Sequence, residues 1–235
     1  MVDKCIAIIP ARGGSKRIPR KNIVDFFGKP MIAWTIEAAQ ESGHFERILV
    51  STDDEEIAQV ARDYGASVPF LRTEGADDHS PVSKATVASL KQAEFFWETT
   101  FDTVVQLMPN CPMRTANDIT NALSRFNSKQ VEFQISCFKF GWINPWWALR
   151  LNAQGQGEKL FLEAVSERSQ DLPELYCPTG AIWLAQRSAL NETGDFYGAG
   201  HVFDPIHWSS AIDIDDYEDM EMAKAVWIMR NQIVN

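Results

Sequence analysis

CIAIIPARGGSKRIPRKN, residues 5–22, opens as an apolar run and breaks into a glycine pair among cations. Cys5-Ile6-Ala7-Ile8-Ile9 has the length and composition of a buried strand. Beyond the loop, Pro30 suits the first turn of a helix that carries Trp34, Ile36 and Ala39 and stops near Gly43. Arg47-Ile48-Leu49-Val50-Ser51 then reads as a second strand. Strand, helix, strand is the unit that builds a mostly parallel sheet covered by helices. The alternation continues: Asp53 or Asp54 caps a helix with Ile57, Val60 and Ala61 on one face, which ends at Gly65. A short strand is expected around Val68-Pro69-Phe70, a helix from Val82 to Trp97, a strand from Thr103 to Leu107 and a helix from Ala116 to Phe126.

After about residue 131 the character changes. Phe133 to Phe138 reads as a strand, Trp142-Ile143-Asn144-Pro145-Trp146-Trp147 is aromatic, and Asn152 to Gly157 is a polar turn. This predicts an arm inserted at about 131–176 into a single domain spanning 1–235. Its tryptophans fit either a satellite core or a subunit interface. The chain returns through Gly180 to Leu184 and a strand around Ala211 to Ile214, and finishes in an amphipathic helix from Asp216 to Met229.

The 235 residues, 45% of them hydrophobic, suffice for one substantial core. A net charge of −10 argues against a nucleic-acid partner, which normally meets a basic face. No apolar run reaches about eighteen residues, and Met1 to Cys5 leads straight into a strand, so no membrane insertion and a cytoplasmic location are expected. Cys5, Cys111, Cys137 and Cys177 are dispersed and read as buried free thiols. His44, His79, His201 and His207 lie apart, with no nucleophile-elbow motif.

Between Arg12 and Lys29 the cations Arg12, Lys16, Arg17, Arg20, Lys21 and Lys29 face one acid, Asp25. This positive island follows the first strand, where open α/β sheets bind ligands. Gly13 and Gly14 let backbone amides approach phosphate oxygens while the cations neutralise charge. Neither G-x-G-x-x-G nor a Walker A pattern is present. A triphosphate cradle is the expectation.

In Ala211-Ile212-Asp213-Ile214-Asp215 the isoleucines alternate with aspartates, so an extended segment turns both carboxylates to one side. Magnesium takes one or two protein carboxylates together with waters and substrate phosphates. The competing explanation is that Asp215 caps the last helix, with Glu218 completing a capping box. Asp53-Asp54 is a rival pair that helix capping explains well.

IIPARGGSKRIPRKNI (8–23), ILVSTDDEEIA (48–58), FLRTEGADD (70–78), MPNCPMRT (108–115) and AIDIDDYED (211–219) together resemble the acylneuraminate cytidylyltransferases, or CMP-sialic acid synthetases. Related enzymes acting on Kdo carry similar loops without the Lys21-Asn22 ending. The resemblance implies an α/β, Rossmann-like nucleotidyltransferase fold with a mostly parallel central sheet flanked by helices, and an inserted arm that makes a homodimer. It implies a Mg2+-dependent union of CTP with an acidic nine-carbon 2-keto sugar. Ala11, Arg12, Gly13, Gly14, Ser15, Lys16, Lys21 and Asn22 would hold the nucleotide, Arg72 would lie near the cytidine, and Asp213 and Asp215 would bind the metal. Arg12, Lys21, Asp213 and Arg168 would be catalytic, with Arg168 contacting the sugar acid.

Two departures from the family pattern fall in the sugar half: a glutamine that would contact the sugar is Met108 here, and an arginine before Pro-x-Gly is Cys177. Both lower polarity where hydroxyl and N-acyl groups are read, which points to a relative of sialic acid such as legionaminic or pseudaminic acid. Another sugar nucleotidyltransferase of the Kdo type, or a nucleotide-binding regulatory module without turnover, are the alternatives.

Overall fold

Along the first strand, β1 (Cys5–Pro10), every residue is buried, and successive side chains serve two different cores. Cys5, Ala7 and Ile9 pack into one cluster, Ile6 and Ile8 into another. A strand buried on both faces needs helices on both sides, and this chain supplies them. The computed structural model describes residues 3–73, 81–164, 166–168 and 170–232. Glu74 to Asp78 of the family motif, His79 and Ser169 lie outside the described residues.

A two-residue hairpin, β2 (Asp25–Phe26) and β3 (Lys29–Pro30), leads into α1 (Met31–Ser42), which ends on left-handed Gly43. β4 (Arg47–Ser51) and α2 (Glu55–Asp63) follow, the helix capped by Asp54, whose side chain accepts from Ile57 N at 3.0 Å. Next come α3 (Val82–Phe96), β5 (Thr103–Gln106), α4 (Ala116–Lys129) and β6 (Phe133–Lys139). The arm carries a small hairpin, β7 (Leu149–Leu151) with β8 (Gly157–Lys159). The long β9 (Tyr176–Gln186), α5 (Arg187–Thr193), β10 (Val202–Pro205) and α6 (Tyr217–Gln232) complete the chain.

The main sheet runs β10-β6-β9-β5-β1-β4. Antiparallel β9 pairs with β5 and β6, and the remaining pairings are parallel, so the expected mostly parallel sheet is present. Ile32 and Ile36 of α1, Ile57 of α2 and Ile119 and Leu123 of α4 cover one face. Leu90 of α3 and Leu190 of α5 cover the other. A third cluster lies apart from both: Ile18 from the basic loop packs with Met31, Ile212, Ile214, Met220 and Val226. Burying each such aliphatic side chain contributes about 1.5–3 kcal/mol. That cluster joins the start of the chain to its end.

Four expectations change. Val68 to Phe70 forms no strand: Ser67 bridges Leu49 and exchanges hydrogen bonds with Ile48 and Val50, but Pro69 has no N–H with which to extend the pairing. Ala211 to Ile214 is also outside any ladder, and contacts residues beyond the carboxyl ends of β1 and β5 instead. Phe133 to Cys137, expected at the start of the inserted arm, are instead buried in the main sheet as part of β6. The arm's tryptophans divide between the two readings. Trp146 meets Phe161 edge-on at 5.2 Å and donates to Pro173 O, whereas Trp142 is 90% exposed. No helix among the described residues is long and apolar enough to cross a membrane.

Candidate active site

β4 lies on one side of β1 and β5 on the other, so the strand order reverses between β1 and β5. In open α/β sheets such a point leaves a crevice outside the carboxyl ends of the strands. Here a cleft of about 590 Å³ opens there. Arg12, Ser15, Lys16, Arg17, Lys21 and Asn22 line one side, Met108, Pro109 and Asn110 another, and Asp213 and Asp215 complete it. The basic island and the aspartate pair, nearly two hundred positions apart, therefore share one wall-to-wall space.

The loop is fixed at several points. Ala11 is buried, and its N–H donates to Ser51 O, adding one rung to the β1–β4 pairing. Gly13 N–H donates to Asp53 Oδ1 at 2.9 Å, and Ser15 N–H to Gly13 O at 3.0 Å. The Gly13 amide expected to face phosphate is thus committed to Asp53 in this structure. The fit is close: a Cβ at Gly13 would sit 2.7 Å from Asp54 Oδ2. Arg20, in the left-handed region with φ 56°, grips Asp54 with both terminal nitrogens, at 2.5 and 3.1 Å, and also meets Glu56. This pairing and the cap to Ile57 hold the Asp54 carboxyl below the usual range. Asn22, buried, donates to Arg12 O at 2.9 Å and closes the loop on itself.

Asp54→Ala removes a helix cap and the loop's anchor together. A loss of about 2 kcal/mol in urea denaturation is expected, with weaker CTP binding in a calorimetric titration. Unchanged CTP affinity would show that the anchor does not set the loop's shape.

Lys21 Nζ donates to Ile214 O at 3.0 Å and to Asp215 Oδ1 at 2.9 Å, and Arg17 Nη2 lies 2.6 Å from Asp215 Oδ2. These cations hold the Asp215 carboxyl below its ordinary range against the effect of burial. Asp213 moves oppositely. Burial and the charge of Asp215 push it up to about 6, Lys21 and Arg17 pulling the other way. Asn110 donates to Asp213 Oδ1 in a short contact.

Two neighbouring carboxylates, one of them short of neutralising charge, suit a divalent cation. No three or more His, Cys, Asp or Glu side chains among the described residues are arranged to hold a metal ion together, so such a cation would take water and phosphate oxygens as its other ligands. That is the habit of magnesium at phosphate sites. The helix-cap alternative for Asp215 fails: Asp216 accepts from Asp219 N at the start of α6, while Asp219 accepts from Asp215 N and Asp216 N.

Arg114 is fully buried behind the Met108 wall. It donates to Met108 O at 3.2 Å and to Ala181 O at 2.7 Å, and burial draws its pKa down to about 10. Gly180 permits Met108 its place, since a Cβ there would meet Met108 Cγ at 2.7 Å.

Of the expected residues, Ala11, Gly13, Gly14, Arg72 and Arg168 do not line the cleft. Arg72 is buried, 4% exposed, and donates to Ser51 O and Oγ, so it is sealed beneath the end of β4. Arg168 sits exposed on the arm, its Nε 2.6 Å from Asp171 Oδ2. Cys177 faces Phe138 across the β6–β9 pairing. Asn110 has no role in the sequence expectation; its place between Pro109 and Cys111-Pro112, in a loop at the carboxyl end of a strand, is the signal in the sequence that marks it.

The sequence pattern of the family described as Cytidylyltransferase matches residues 6–170. The chain is 36% identical over 230 residues to a pseudaminic acid cytidylyltransferase of Campylobacter jejuni subsp. jejuni serotype O:23/36, covering 97% of this chain and 98% of that one. It is 38% identical over 207 residues to the CMP-N,N'-diacetyllegionaminic acid synthase of Legionella pneumophila subsp. pneumophila, covering 83% of each. A solved CMP:2-keto-3-deoxy-manno-octonic acid synthetase complexed with CTP superposes with a TM-score of 0.70 over 97% of this chain and 100% of that one, at 18% identity, a likeness of fold.

Proposed function

We propose that this chain, which belongs to the cytidylyltransferase family, joins CTP to a nine-carbon 2-keto sugar acid of the pseudaminic, legionaminic or sialic type, giving a CMP-sugar and pyrophosphate. The observation that carries this reading is the single cleft in which Arg12, Lys16 and Lys21 face Asp213 and Asp215. A triphosphate needs the first group, and a divalent cation that neutralises its charge would be held by the second.

In the reaction the anomeric 2-hydroxyl attacks the α-phosphorus, loses its proton, and the bond from the α-phosphorus to pyrophosphate breaks. Arg12, Lys16 and Lys21 bind the triphosphate and offset the charge that builds on the leaving group. Ser15 and the main chain of Ala11, Gly13 and Gly14 shape the loop around it. Asp213 and Asp215 would hold Mg2+, which when bound supplies charge neutralisation at the transferring phosphate. Asn22 keeps Arg12 in place through the Arg12 carbonyl.

Met108 presents an apolar surface on the sugar side of the cleft, which fits an acid with fewer hydroxyls to read. Following the family resemblance, Arg168 is assigned to the substrate carboxylate and Arg72 to the cytidine end. A homodimer through the arm supplies a reason for the exposure of Trp142, Ile143, Leu151 and Leu162.

Pyrophosphate release with CTP and Mg2+ is measured against N-acetylneuraminic, legionaminic and pseudaminic acids and Kdo, one at a time. Release with a nine-carbon acid is expected. CTP binding without release on any acid would replace the enzyme by a binding module. In the same assay Met108→Gln should move preference toward N-acetylneuraminate by about tenfold; an unmoved ranking removes Met108 from the specificity argument.

A further inference from the structure

The segment carrying Asp213 and Asp215 has no sheet ladder to hold it, yet it keeps the strand-like alternation that turns both carboxylates into the cleft. One residue replaces the missing neighbour. Ile214 N–H donates to Asn110 O at 2.9 Å, and Asn110 Nδ2 donates back to Ile214 O at 3.2 Å. Both backbone groups of Ile214 are thus met by a single residue, as a paired strand would meet them.

The same Nδ2 reaches Asp213 Oδ1 and, at 3.5 Å, the outer limit of a hydrogen bond, Asp215 Oδ1. We propose that Asn110 is a positioning residue that holds Asp213 and Asp215 as one preformed pair for a divalent cation. This rests on the assignment of those two carboxylates to the cation.

Three features support it. Two like charges close together repel, and an amide that donates to both offsets part of that repulsion before a cation arrives. The direction of the amide follows from charge, because only Nδ2 can face carboxylates. Finally, Asn110 is 4% exposed and its Oδ1 has no hydrogen-bond partner among the described residues. A buried acceptor left unmet costs about 1–3 kcal/mol. A side chain kept at that cost is explained by what its other half holds. Leucine has the same shape without the donor, aspartate would add a third negative charge, and serine is too short to span to both aspartates.

The test uses the full-length protein and Mn2+ as probe. Mn2+ binding is followed by the loss of the free-ion EPR signal, alongside metal-activation curves and the KM for CTP at saturating metal. Asn110→Leu is expected to raise both the Mn2+ dissociation constant and the activation constant about tenfold or more, equivalent to about 1.4 kcal/mol, with the KM for CTP little changed. Asn110→Ser has to shift the metal constants in the same direction, and it serves where Asn110→Leu does not fold.

Wild-type metal constants in a folded variant, even with a lower Tm or a lower kcat, would make Asn110 a packing residue and overturn the proposal. Asp213→Ala is measured beside them. If it too leaves Mn2+ binding untouched, the cation assignment is what fails; if it abolishes binding while Asn110→Leu does not, only the role of Asn110 fails.

Discussion

Asp213→Ala is expected to lower pyrophosphate release by a factor of about a hundred to a thousand, the scale found when one preorganised electrostatic group is removed from a transition state. The loss should fall on kcat, and raising Mg2+ should recover little of it. The fold should survive. Packing at this segment comes from Ile212 and Ile214, which remain in the cluster beneath the cleft, while the Asp213 carboxylate points the other way. Asp213 also carries charge against burial and against the like charge of Asp215, so its loss should leave Tm unchanged or raise it. Residual activity within a few fold of wild type would remove Asp213 from the metal site. A fall in Tm with loss of circular dichroism would instead make the aspartate structural.

Lys21→Met should be comparably severe but carry a different signature. Its side chain is 15% exposed, and its ammonium ties the basic loop to Ile214 O and Asp215. Methionine keeps the apolar stem and deletes the charge. The triphosphate loses a cation, and Asp215 loses one of its two partners, so kcat/KM should drop about a hundredfold or more. A stability loss of about 1–3 kcal/mol should accompany it, because a hydrogen bond from a charged group is removed at a largely buried point. Arginine is not expected to rescue, since its planar fork does not fit a site built for a compact ammonium. The pair of variants separates roles: Asp213→Ala loses turnover without stability, Lys21→Met loses both. If Lys21→Met kept its Tm, the strap between loop and aspartate segment would be dispensable to the fold.

Most of the sheet could be read from the sequence because its strands are short apolar runs between helices with ordinary caps. Gly43 and Gly65 both take the positive φ expected of helix ends. The aspartate pair was legible for a reason different from the one assumed. Ile212 and Ile214 alternate with the aspartates because they bury against α6 and Ile18, and not because a strand imposes the period. β10 escaped notice since Val202-Phe203-Asp204-Pro205 places an acid inside a strand. Asp204 is buried there because Arg125 of α4 meets it with two nitrogens, at 2.5 and 2.6 Å, and Lys129 lies 4.0 Å away. No local pattern announces a partner 79 positions away. Within the site, residue types were visible but commitments were not: the Gly13 amide belongs to Asp53 and Arg72 is sealed under β4, both consequences of where the second strand ends.

The cluster that joins Ile18 to Ile212, Ile214, Met220 and Val226 imposes an order of assembly. A ribosome makes the basic loop well before the aspartate segment that completes the cleft. Until α6 leaves the exit tunnel, Ile18 lacks Met220 and Val226 among its packing partners, and before the aspartate segment is made Lys21 lacks the carbonyl and carboxylate that fix it. Contacts of such long sequence separation are slow to form, since the chain between them must be closed first. The sheet can therefore be complete before the catalytic cleft exists, and no N-terminal fragment that stops short of the last helix holds a finished site. A nick near residue 212 leaves most of the hydrophobic core intact and takes Asp213 and Asp215 out of the cleft.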